Sequence, residues 1–171
     1  MAHQIELNPV SLLTVGTIGP PGQRVFYLQG SRRTETISLI VEKEQMSVLA
    51  DSVDSFLDEL EEKHPAETRD SEESILQDMR LREPVEGLYR VGNMGLGYNE
   101  TEDQIVLVAY ELVDEDEDPN VVSFWATRAQ MRALVQQTRK VVSAGRPTCG
   151  NCGRPIDPQG HFCPNRNGHR H

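Results

Sequence analysis

The two halves of the sequence share one order of predicted elements, and this internal duplication constrains the fold more than any other feature. Residues 15–19 read VGTIG and residues 91–95 read VGNMG. In each half a β-like run follows, then a turn, a second β-like run and a helix-like segment. With an offset of 85 residues, the matched pairs are Ser38 with Ser123, Gln45 with Gln130, Met46 with Met131 and Leu49 with Leu134. This self-similarity predicts one supersecondary unit that is built twice.

The β-like runs are rich in β-branched and aromatic residues and are separated by turn residues, which predicts strands. They are RVFYLQG from Arg24, TISLIV from Thr36, IVLVAYEL from Ile105 and VVSFWA from Val121. Residues 111–118 read ELVDEDED and precede Pro-Asn, so we expect a hairpin loop there. These carboxylates lack the spacing and the turn glycine of an EF-hand calcium loop. Ser38 and Ser123 are interpreted as structural strand serines.

The two helix-like segments begin with recognisable start signals. Residues 127–130 read TRAQ, a capping box in which threonine and glutamine satisfy the first backbone N–H groups. The first copy has Glu42 and Gln45 in these places. Apolar residues then follow helical spacing, which predicts helices that pack against a sheet. The predicted apolar stripes are Met46, Leu49, Val53, Phe56, Leu57 and Leu60, and Met131, Leu134, Val135, Val141 and Val142.

The implied fold class is α+β, with two tandem strand-strand(-strand)-helix repeats and a small zinc-ribbon-like tail. We expect a mainly antiparallel sheet, because the strands within each half are joined by short hairpins. Residues 1–63 form the first β-β-α repeat and residues 88–145 the second. Residues 64–87 form an acidic linker, whose centre at residues 71–81 is compatible with a short helix that presents Ile75, Leu76 and Met79. Residues 146–171 form the tail.

The tail carries the strongest chemical signal, because it contains all three cysteines of the chain. The C-x2-C pair and a later Cys-Pro predict two knuckle-like turns around one structural zinc ion, for which thiolate and imidazole are the preferred ligands. The fourth ligand is assigned to His169, with His171 and His161 as alternatives. Metal binding would order a segment that is too short to bury a core of its own. The predicted zinc ligands are Cys149, Cys152, Cys163 and His169.

Charge excludes some classes of partner. The formal net charge is −10, whereas residues 146–171 carry +3, so the rest of the chain is strongly acidic. An acidic body repels nucleic acid and anionic membranes. No apolar run approaches the roughly 18 residues of a membrane span, and the N-terminus lacks the pattern of a signal peptide. The expected compartment is therefore the cytoplasm.

The glycine-rich stretches at residues 16–22 and 92–97 do not fit a nucleotide site. A dinucleotide fingerprint needs a helix directly after the glycines, and here a β-like run follows. No lysine stands in the arrangement of a P-loop. We therefore interpret these glycines as turn or bulge residues that recur because the fold recurs.

The VG-x-[IM]-G openings and the terminal CGNCG…GHFCPNRNGH resemble an uncharacterised bacterial repeat-protein family, a domain of unknown function with a zinc-knuckle-like Cys3His motif. The resemblance covers nearly the whole chain. It implies a cytoplasmic protein without an established activity. It also implies a partner or regulatory role, because members of the family are often encoded near phosphatase-like and phosphoinositide-kinase-like proteins.

Three functional hypotheses follow from these observations. The first is a non-enzymatic, zinc-containing adaptor that binds a protein partner of unknown identity. The alternative is an enzyme or a small-ligand-binding protein that uses the cleft between the two repeats, since ligands often bind where elements meet. Nucleic-acid binding through the basic tail is a third reading, which the acidic body disfavours.

Overall fold

The computed structural model describes residues 2–20, 22–65 and 78–144, which form an α+β fold of seven strands and two helices. The predicted α+β class and the four predicted β-like runs are confirmed. None of the helices in these ranges is long and apolar enough to cross a bilayer. The elements are β1 (Gln4–Leu7), β2 (Leu12–Ile18), β3 (Val25–Arg32), β4 (Glu35–Val41), α1 (Lys43–Lys63), β5 (Gly87–Asn99), β6 (Gln104–Glu111), β7 (Val121–Ala126) and α2 (Arg128–Ala144).

The strands form one mixed sheet in the order β1-β7-β6-β5-β4-β3-β2. The prediction of a mainly antiparallel sheet is therefore wrong. Pairing is antiparallel inside the units β2-β3-β4 and β5-β6-β7, but β4 pairs with β5 and β7 pairs with β1 in parallel. The hairpin argument applied within each half, whereas α1 carries the chain back across the sheet and so makes the next strand parallel.

The sheet curls until its two end strands nearly meet. Only residues 8–11 separate β1 from β2, although these strands lie at opposite ends of the strand order. The N–H of Val10 donates to the carbonyl of Trp125 on β7 at 2.8 Å, and the N–H of Ser11 donates to Ser31 on β3 at 2.7 Å. Two consecutive residues thus bridge the two ends of the curved sheet.

Both helices begin where the capping signals predict. At α2, the N–H of Thr127 donates to Gln130 Oε1 at 2.9 Å, and the N–H of Gln130 donates to Thr127 Oγ1 at 3.1 Å. At α1, the N–H of Glu42 donates to Gln45 Oε1 at 2.8 Å. These bonds satisfy backbone groups that have no partner inside the helix.

The helices lie antiparallel to each other and close one hydrophobic core with the sheet. Arg139 of α2 pairs with Asp54 of α1 at 2.6 Å, while Arg128 at the other end of α2 reaches Glu61 at 3.4 Å. The predicted stripes supply most of the buried helical residues, but Phe56, Val141 and Val142 are only half-buried. The largest fully buried side chain is Phe124 of β7.

The order β-β-β-α occurs twice, as β2-β3-β4-α1 and as β5-β6-β7-α2. A common origin of these units stays a prediction, as do the four segment boundaries. The predicted short helix is not present at residues 78–81, and its residues 71–77, with Ile75 and Leu76, lie outside the described ranges. Met79 instead lies against β2, where its carbonyl accepts a hydrogen bond from Thr14 Oγ1 at 2.6 Å.

Candidate functional site

The four predicted zinc ligands, Cys149, Cys152, Cys163 and His169, lie outside the described residues, as do the alternatives His161 and His171. Three thiolates and one imidazole are a donor set that suits zinc. Because these residues lie outside the described ranges, the metal site stays a prediction. Within residues 2–20, 22–65 and 78–144 no three His, Cys, Asp or Glu side chains come together to hold a metal ion.

The two matched serines are not brought together. Ser38 lies on β4 and Ser123 on β7, with β5 and β6 between them. Ser38 is buried, and its hydroxyl accepts a hydrogen bond from Gln29 Nε2 at 3.0 Å. This contact agrees with the structural interpretation of Ser38. The predicted hairpin loop after β6 is also confirmed, because β6 and β7 pair antiparallel.

The feature that stands out instead is the free edge of β5. This strand has 13 residues, whereas its neighbour β4 has 7, and the last paired residues are Ile40 and Arg90. Beyond that point β5 continues to pair with β6 as far as Asn99. In the described part of the chain, no strand pairs with the other edge of residues 93–99. Alternate N–H and C=O groups along that edge therefore lack a strand partner.

Helix α1 runs beside this edge, and an open groove of about 530 Å³ lies between the two. A second depression of about 430 Å³ extends the groove along α1, because Ser52 and Leu96 line both. The helical wall runs from Glu44 to Glu59, about four turns of helix. The groove therefore has the length of a short extended peptide.

The groove combines an apolar floor with an acidic rim. Val48 is 65 % exposed in it, and Leu49, Met94, Leu96 and Phe56 supply further apolar surface. Three carboxylates, those of Glu44, Asp51 and Glu59, stand along the helical wall, and that of Asp51 also pairs with Arg139 at 3.3 Å. The described lining residues include no lysine or arginine, so the electrostatic potential of the groove favours a cationic ligand.

Gln45 lies at the closed end of the groove, which is the end where β5 stops pairing with β4. Its Oε1 accepts the N–H of Glu42 at the helix start. Its Nε2 donates to the carbonyls of Val91 at 3.0 Å and Gly92 at 2.9 Å. The Gln45 side chain thus caps α1 and also binds two carbonyls of β5 at the point where β5 stops pairing with β4. The register of β5 against β6 also shifts between Val91 and Met94, which marks a bulge at this point.

A second polar cluster surrounds the buried Arg128. Its guanidinium donates to Asp103 at 2.9 Å and to the carbonyl of His64, and it lies over the Tyr98 ring at 5.7 Å from the centroid. Burial and the hydrogen bond with Asp103 raise the pKa of Tyr98. The cluster joins the end of α1, the β5-β6 turn and the start of α2, so its role is structural.

The profile of the family described as "Protein of unknown function (DUF3090)" matches residues 5–163. The chain belongs to this family. Neither the comparison with curated proteins nor the comparison with solved structures finds a match. The family confirms that part of the resemblance seen in the sequence that concerns a domain of unknown function. Membership leaves the activity open, so the geometry of the groove carries the functional argument.

The sequence reasoning missed β5 as a single long strand, because three glycines between residues 92 and 97 resemble a loop. The signal that could have found it is the period-2 pattern of half-buried apolar residues Met94, Leu96 and Tyr98. The bulge shifts this pattern by one residue relative to Tyr89 and Val91, which conceals the alternation from a simple reading.

Proposed function

We propose that this DUF3090 protein is an interaction protein that binds an extended peptide segment in the groove between α1 and the free edge of β5. The observation that carries the proposal is the unpaired edge of residues 93–99, which faces a groove with an apolar floor. An extended peptide can add a strand to such an edge, where backbone hydrogen bonds supply affinity and side-chain pockets supply selectivity.

The geometry supports binding of a chain segment over binding of a compact small molecule. The groove is long, open and shallow, whereas small-ligand sites enclose most of the ligand surface. It lies between α1 of the first predicted repeat and β5 of the second, which is where the alternative hypothesis expects a ligand. A zinc-stapled tail remains part of the adaptor proposal, with Cys149, Cys152, Cys163 and His169 as its ligands.

The test begins with a displayed library of random linear peptides, about twelve residues long, selected on the full-length protein. Enriched sequences are synthesised, and their affinity is measured by fluorescence anisotropy for the wild type, Val48→Glu and Val25→Glu. Val48 lies in the groove and Val25 outside it, and both are exposed, so both variants should fold. We expect Val48→Glu to weaken binding by about tenfold or more, and Val25→Glu by less than about twofold.

Strand addition has its own signature in amide hydrogen exchange. Binding should slow exchange at alternate residues between 93 and 99, because their N–H groups gain a partner. A library that yields no binder would overturn the proposal. So would binders whose affinity is unaffected by Val48→Glu and which leave these amides unprotected.

A further inference from the structure

Residues 78–82 form an irregular segment with a bend at Arg80, which passes beside α2 and crosses the face of β2 and β3. Residues 78–80 border α2 in a cavity whose helical wall consists of Ala133, Gln136, Gln137 and Lys140. The neighbouring edge strand is β2, which pairs with β3 alone among the described strands. The same segment continues as Leu81, which lies over Gly16 of β2.

The helical wall beside this segment corresponds residue by residue to the wall of the open groove. The sequence offset of 85 carries those four α2 residues onto Val48, Asp51, Ser52 and Ser55, and all four line the groove or its extension. On the strand side, the VG pair of β2 matches the VG pair of β5, whose Gly92 also lines the groove. On the α2 side, a segment of apolar and basic residues therefore lies beside the corresponding helical wall.

The internal segment is held mainly through its backbone. Thr14 Oγ1 donates to the Met79 carbonyl at 2.6 Å. Gln29 accepts the Arg82 N–H at 2.8 Å and donates to the Arg82 carbonyl at 3.0 Å. The Leu81 side chain fills the space over Gly16, where an added Cβ would lie 2.6 Å from its Cγ. The arginines at 80 and 82 point outward and are exposed. The sequence Met-Arg-Leu-Arg thus alternates half-buried apolar residues with exposed basic residues, and the backbone bends at Arg80.

The open groove differs chiefly in charge from the junction beside α2 that residues 78–82 partly cover. Its carboxylates Glu44, Asp51 and Glu59 occupy positions where α2 has Ala129, Gln136 and Ala144. A basic residue at alternate positions of an occupant would lie near these carboxylates, while its apolar neighbours contact Val48 and Leu96. Leu112 lies over Gly92 but is 59 % exposed, so apolar surface is also available at the closed end.

From this match we infer that the partner of the groove is an extended peptide in which apolar and basic residues alternate, as they do at residues 79–82. The inference rests on the proposed function and adds the chemical class of the partner. The carboxylates should supply selectivity and association rate more than raw affinity, since exposed ion pairs are individually weak.

Two synthetic peptides test the inference on the full-length protein: Met-Arg-Leu-Arg repeated twice, and Met-Glu-Leu-Glu repeated twice. We expect the basic peptide to bind about tenfold more tightly at about 50 mM salt, and this preference to shrink as salt rises. A matched pair of variants locates the effect. Glu59 lines the groove and the adjacent exposed Asp58 does not, so Glu59→Lys and Asp58→Lys change the net charge equally.

Glu59→Lys should weaken binding of the basic peptide by about threefold or more, while Asp58→Lys should change it by less than about twofold. Equal weakening by both variants would indicate only long-range attraction and would overturn the inference. Equal binding of the two peptides, or library binders without basic residues, would also overturn it while the proposed function survives. If no peptide binds at all, both the proposed function and this inference are wrong. If a peptide of residues 146–171 displaces the basic peptide, the groove binds a segment of this chain, and the inference of a separate partner is wrong.

Discussion

In the part of the chain that the structure describes, both helices run beside strand edges that have no strand partner. Residues 78–82 partly cover the α2 junction, where a cavity of about 370 Å³ remains, and no described segment covers the α1 junction. On the α2 side, Gln137 Nε2 donates to the Val15 carbonyl at 3.2 Å, and residues 78–82 cover the outer face of β2. On the α1 side the corresponding helix position is Ser52, which is too short to span a groove of about 530 Å³. Similar elements in the same order thus support a partly covered junction in one half and an accessible surface in the other.

The first residues of the two helices also differ, because that of α2 is more deeply buried than that of α1. Arg128, the first residue of α2, is 3 % exposed and holds Asp103 and the carbonyl of His64. Lys43, the first residue of α1, is half-buried. Gln45 and Gln130 cap the two helices alike, and the second half adds a buried charge at the start of α2.

The largest expected effect concerns this pair of helix starts. Arg128→Met should lower the free energy of unfolding by about 1–3 kcal/mol, because it leaves a buried carbonyl and partly exposed carboxylates without their donor. Lys43→Met should change it by less than about 0.5 kcal/mol. Urea denaturation of both variants measures the difference. Equal destabilisation would contradict the assignment of Arg128 as the joint between α1, β5 and α2.

The next effect concerns the glycines on the two free-edge strands. Gly16→Ala places a Cβ 2.6 Å from Leu81 Cγ, so either the segment or the strand must shift. We expect a loss of about 1–2 kcal/mol, as for overpacking. Gly95→Ala meets nothing within 4 Å and should be neutral to within about 0.5 kcal/mol. Thermal unfolding distinguishes the two variants, and a stable Gly16→Ala protein would show that residues 78–82 do not pack tightly.

The smallest effect concerns the residues that close or open the two junctions. Gln137→Ser removes one hydrogen bond to β2 and should cost about 0.5–1.5 kcal/mol in chemical denaturation. Ser52→Gln makes the reciprocal change at an exposed site, so stability should move by less than about 0.5 kcal/mol. Peptide binding to the groove should nevertheless weaken with Ser52→Gln. Unchanged peptide affinity would indicate that the occupant does not approach this part of α1.

Local patterns predicted the local structure well. Thr127 and Gln130 specify the start of α2 through bonds between neighbours in the sequence, so the capping box could be read directly. The β-branched runs on either side of the loop after β6 similarly specified a hairpin. In contrast, residues 78–81 are not helical, since Thr14 Oγ1 holds the Met79 carbonyl and the Gln29 side chain holds the backbone of Arg82.

The sequence by itself determined the class of each element, the two helix starts, the matched order of the halves and the acidic character of the body. Only the tertiary structure decided that the sheet is mixed and that it curls so that β1 and β2 come close. It also decided that β5 extends far enough beyond β4 to leave one of its edges without a strand partner among the described residues. The physical reason is that caps and periodicity depend on residues a few positions apart. A free edge depends on which distant strand stops first and on which segment comes to lie beside it.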